Sequence, residues 1–78
     1  MTIEQDSLAV LAEDLGPAAK NFLLRQCRHH LNKEPYMLQE SDIDNLAKWC
    51  HIGVQMALGA QIADKVQKGL LALKQEPK

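Results

Sequence analysis

Apolar residues recur along this chain at the three- and four-residue spacing of a helix face, and three points interrupt the rhythm: Gly16-Pro17, Pro35 and Gly59. Segments bounded in this way are helices rather than strands. Val, Ile and Thr are few, while Leu and Ala supply most of the 46% apolar fraction. The rhythm marks helices over about residues 3–15, 17–32, 42–58 and 60–74.

Thr2 with Gln5 forms the sequence pattern of a capping box, which opens the first helix. Ile3, Leu8, Val10, Leu11 and Leu15 gather on its apolar face, and Gly16 closes it in the left-handed conformation. Pro17 suits the first position of a second helix, because its missing N–H costs nothing there. That helix places Ala19, Leu23, Leu24, Cys27 and Leu31 on one side, with Arg28, His29, His30 and Lys33 near its negative pole. Pro35 holds Glu34 extended, and the apolar run Tyr36-Met37-Leu38 is expected to fold back over one end of the core.

Ser41 and Asp44 form a second capping pattern, from which a third helix starts at Asp42. Its main stripe is Ile43, Leu46, Ala47, Cys50, Val54, Ala57 and Leu58. The following stripe, Ile62, Val66, Gly69, Leu70 and Leu73, is rotated from it by about 120° if the helix runs straight. One straight helix cannot bury both, so a break or kink is expected at Gly59. The residues from Gln75 onward are expected to fray. The fold class this predicts is all-α, a small antiparallel four-helix bundle that dimerises.

At 78 residues there is room for one domain, residues 1–78, and one core. A core of that size supplies about 3–5 kcal/mol, so a partner subunit, a metal or a disulfide is the usual supplement. Two cysteines make no disulfide framework, and they read as free thiols in a reducing compartment. The opening residues lack a secretory pattern and no run is long enough to span a bilayer, so the expected location is the cytoplasm. A net charge of −1 provides no global field for nucleic acid or an anionic membrane.

Cys27, His30 and Cys50 are the candidate metal or haem ligands. Zinc requires about four converging donors, whereas Cys50 and His51 diverge by about 100° on a helix, and no Cys-x-x-Cys pair is present. The plainer assignment makes Cys27 and Cys50 core residues facing each other, with no metal and no cofactor. Arg25, Arg28 and Lys33 are the residues of a nucleic-acid adaptor, but no row of base-reading side chains accompanies them. Asp42 and Asp44 start like a calcium loop that then lacks its glycine and its final glutamate. No nucleophile has a base beside it, so an enzyme is not expected.

A second apolar stripe on the third helix is the largest surplus. Trp49, Ile52, Met56, Ala60 and Ala63 lie opposite the core stripe when projected as one helix, with Phe22 as an accessory. Such a patch on a small protein marks a protein partner or a homodimer interface, unless Tyr36-Met37-Leu38 or the first helix covers it.

The stretch Leu11-Ala-Glu-Asp-Leu-Gly-Pro-Ala-Ala-Lys-Asn-Phe-Leu-Leu24 resembles small helical modules at the ends of bacterial signalling proteins, such as some Ser/Thr kinases and response regulators. The shared feature is a leucine, then Gly-Pro-x-Ala-Lys, then a Leu-rich helix. The resemblance implies a regulatory or assembly module without catalytic residues.

Overall fold

The first helix, α1, spans Ile3–Leu15, in a computed structural model that describes residues 2–74. Thr2 is extended, and its Oγ1 accepts a hydrogen bond from the Gln5 amide at 3.1 Å, which satisfies one of the orphan donors of the first turn. Gly16 ends the helix with φ 59° and ψ −136°. The φ is positive as expected, but the ψ lies outside the left-handed helical well, in territory that only glycine occupies cheaply.

The regular second helix predicted over residues 17–32 is replaced by three shorter pieces. Pro17 sits in a 3-10 turn, Gly16–Ala18, followed by α2 over Ala19–Gln26. From Cys27 to Leu31 the chain widens into a π turn, closed by Asn32 at φ 58° and ψ 39°. The Asn32 and Lys33 amides both donate to the Cys27 carbonyl. A π turn rotates less per residue than an α turn, and here it brings Leu31 back to the side of Leu23 and Cys27, against the core.

Glu34 is extended before Pro35, as its sterics require, and Pro35–Met37 forms a 3-10 turn. Only Leu38 of the apolar run reaches the core. Tyr36 and Met37 remain 75% and 47% exposed, so the expected cover shrinks to one residue. Two ion pairs hold this connection: Arg28 donates to both Glu34 oxygens at 3.0–3.1 Å, and Lys33 Nζ lies 2.8 Å from Asp42 Oδ2. The same Asp42 oxygen accepts from the Gln39 amide at 2.9 Å. The cap before the third helix is therefore built by Gln39 and Asp42 rather than by Ser41 and Asp44. A 3-10 turn, Glu40–Asp42, has moved the cap two residues upstream, and α3 runs over Ile43–Leu58.

Gly59, at φ 97° and ψ 167°, breaks the helix, and α4 follows over Ala60–Leu71 with a 3-10 turn over Ala72–Lys74. The break turns α4 back antiparallel to α3, so that His51 meets Asp64 at 2.8 Å and Asp44 meets Lys74 at 2.9 Å. Both stripes then face one core: Ile43, Leu46, Ala47, Cys50 and Val54 from α3, with Ala63, Val66 and Leu70 from α4. Two expectations are corrected here. Ala57 and Leu58 are exposed, because the core stripe of α3 stops at Val54, a turn before the hairpin. Ala63 is buried, because the break rotates it away from the outer face of α3 on which a continuous helix would have put it.

α1 closes the core from the other side through Ser7 and Leu11, with Ile3, Leu8, Val10 and Leu15 packed at its edge. It crosses α4 at Gly69, where an added Cβ would stand 2.8 Å from Val10 Cγ1. The chain is all-α, with no strand among the described residues, and no described helix is long and apolar enough to cross a membrane. The expected fraying from Gln75 lies outside the described residues.

Candidate interaction surface

The two helices that flank the second apolar stripe are α2 and α3. Gly53 lies on α3 where Phe22 of α2 crosses it, and a Cβ there would come within 2.9 Å of the Phe22 ring. The missing side chain gives the half-buried ring its seat. One turn earlier on α3, the indole of Trp49 is stacked by the imidazole of His30, with ring centroids 4.0 Å apart and planes 6° from parallel. His30 reaches that position from the π turn. Lys48 Nζ lies 5.3 Å from the Trp49 ring centroid, within cation–π range.

Phe22 and Trp49 thus form the half-buried edge of a strip whose exposed members are Ile52 and Met56. Ile52 is 42% exposed and Met56 85%. The spacing 49, 52, 56 puts these three side chains on one line along α3. Ala60 is exposed as well, but it opens α4 beyond the break and is not on the α3 line. Neither Tyr36 and Met37, which are exposed, nor α1, which packs against α4 at Gly69, folds over Met56.

The candidate ligands are not gathered into one site. Cys27 and Cys50 are fully buried free thiols in the same core cluster. Burial pushes the Cys27 thiol up to about 11 and the Cys50 thiol up to about 12, with the neighbouring Cys27 adding to the second rise. His30 stands outside the core against Trp49, and His51 turns away from Cys50 towards Asp64. Among the described residues no three His, Cys, Asp or Glu side chains are grouped to hold a metal. Of the three residues considered for nucleic acid, Arg28 is engaged by Glu34 and Lys33 by Asp42, leaving Arg25.

The largely apolar pocket between α1 and α2, about 180 Å³, is lined by Leu8, Leu23, Leu24 and Pro35, with Glu4, Lys20 and Asn21 at its rim. It is smaller than the cavities that enclose small molecules. Gly53 and the His30–Trp49 stack are not among the residues that the spacing singles out. A glycine four residues after Trp49, inside an otherwise uninterrupted helix, was the available signal for the first. The second depends on the π turn and left no trace in the spacing. No protein-family model, curated protein or solved structure matches the chain.

Proposed function

We propose that this chain is a non-catalytic helical interaction module, a small antiparallel four-helix bundle that docks a protein partner or a second copy of itself along the Trp49–Ile52–Met56 strip. The observation that carries the proposal is the exposure of Met56 and Ile52 in line with a Trp whose ring is held in place by His30. Trp and Met are enriched at interface centres, and a flexible thioether adapts to a partner's shape. The short segment from Leu11 to Leu24 forms the corner between α1 and α2, and its resemblance to bacterial signalling modules suggests a regulatory or assembly setting. Two buried free thiols are compatible with the reducing cytoplasm as the place of work.

Photo-crosslinking tests the proposal. A crosslinking residue placed at position 52 or 56 in cells should give discrete protein adducts, while the same residue at Ala12 on the exposed side of α1 should not. Trp49→Glu, with folding checked by circular dichroism, should remove those adducts. Equal adduct patterns at all three positions, together with a monomer at every concentration in sedimentation, would sink the proposal.

A further inference from the structure

The charges beside the strip are of one sign. From Pro17 to Lys33 the sequence contains Lys20, Arg25, Arg28, His29, His30 and Lys33 and no Asp or Glu, and from Asn45 to Ala63 it contains Lys48 and again no acid. Among the described residues the acids lie elsewhere: α1 carries Glu4, Asp6, Glu13 and Asp14, the connection carries Glu34, Glu40 and Asp42, and Asp44 and Asp64 are on the α3–α4 side. Two of the basic residues lie one helical turn from members of the strip. Arg25 is one turn from Phe22 on the exposed side of α2, and Lys48 is one turn from Ile52 on α3. Among the described residues neither makes an ion pair, whereas Arg28, Lys33, Lys65 and Lys74 all do. His29 and His30 add donors at the same end.

We infer that the partner is a protein helix with an apolar face edged by Asp or Glu, lying along the seam of α2 and α3. The inference rests on the docking proposal above and names the chemistry of its occupant. Trp49, Ile52 and Met56 form a straight apolar line along α3, against which the apolar face of a second helix can pack. Acidic residues on its edges would face Arg25 and Lys48, giving steering and register. A second copy docked through the same strip would instead set one basic flank against another, a like-charge juxtaposition. A lipid surface fits poorly. Phe22 is seated on Gly53 and Trp49 lies under His30, which leaves only Ile52 and Met56 projecting freely.

The test uses two synthetic peptides of about 16 residues, the length of α3, with the same leucine face and either Glu or Lys on both flanks. Trp49 is the only tryptophan, so Trp-free peptides can be titrated against the full chain and read by its emission. The Glu-flanked peptide should bind at least about tenfold more tightly than its Lys twin, because several rim charge pairs change sign together. The preference should shrink with added salt and reverse in the double variant Arg25→Glu with Lys48→Glu, whose fold is checked by circular dichroism.

Equal binding of the two peptides would overturn the acidic partner while leaving the docking surface standing. Failure of the Glu peptide to bind overturns the inference outright, and the adducts at positions 52 and 56 then show separately whether the docking proposal survives. Sedimentation as a dimer that Met56→Glu converts to monomer assigns the strip to a second copy, and the inference falls. A Trp49 emission shift with phosphatidylserine vesicles, but no discrimination between the peptides, assigns it to a membrane with the same consequence.

Discussion

α3 has two apolar faces that are almost equally apolar in sequence and opposite in fate. Ile43, Leu46, Ala47, Cys50 and Val54 are 0–1% exposed, whereas Ile52 and Met56, on the same helix, stand at 42% and 85%. The inner face is covered because Gly59 turns α4 back and Leu23 and Cys27 close over it, with α1 packed on α2 and α4. The outer face has only Phe22 of α2 and His30 of the π turn along its edge. Periodicity thus locates apolar stripes, but the break that follows a helix decides which of them the chain itself can cover.

Removing volume from the inner face should have the largest effect. Leu46→Ala should cost about 2–5 kcal/mol, because a fully buried leucine leaves a cavity that its neighbours only partly fill. Urea denaturation with unchanged slope is the check, and a loss comparable to that of an exposed substitution would erase the distinction between the faces. Gly59→Ala should come next, at about 1–3 kcal/mol, since φ 97° with ψ 167° strains any residue that carries a Cβ. If thermal unfolding shows no loss, the hairpin does not depend on that backbone conformation.

Asp42 ties the start of α3 to the end of the π segment, and it supplies a pH test. Burial alone would raise its carboxyl, but hydrogen bonds from Lys33 and Gln39 and the Lys33 charge outweigh that and hold it below the ordinary value. A depressed folded pKa contributes stability that is present above the unfolded value, near 3.8, and is lost as the pH falls through the folded one. Asp42→Asn should therefore be less stable than the parent at neutral pH, with the gap closing in strong acid. Urea midpoints measured across that range decide it, and a gap independent of pH would assign the effect to shape rather than charge.

The smallest stability effect is expected where the binding effect is largest. Met56→Gln and Ile52→Ser should each change stability by no more than about 0.5 kcal/mol, as substitutions at exposed positions do. A loss of several kcal/mol from either would mean that the outer strip is part of the core.

Much of this arrangement is legible in the residues. Thr2 caps α1, Gly16 and Gly59 end helices, and the core stripes from Ile43 to Val54 and from Val66 to Leu70 follow from spacing and breakers alone. The second helix is only partly legible: its spacing puts Cys27 and Leu31 on the core side, but nothing in that spacing marks the π turn on which they sit. Ser7 is hidden as well. Its position four residues before Leu11 outweighs its polarity and places it at 0% exposure. The candidate surface was half visible. Ile52 and Met56 stand out as a second stripe, but Ala63 was assigned to it only by extending α3 through Gly59, and His30 joined it from a segment whose geometry the spacing does not encode.

The hairpin at Gly59 also bears on how the chain finds its fold. His51 and Asp64 are 13 residues apart in sequence, while Asp14 and Lys65, which join α1 to α4, are 51 apart. Closing the shorter loop forfeits less chain entropy, so α3 and α4 can pair before α1 has a surface to land on. Destabilising Val54 should then slow refolding, and destabilising Leu11 should chiefly hasten unfolding, a difference that stopped-flow measurements separate. The glycine that gives the two stripes a common core also makes the nucleus of that core a local event.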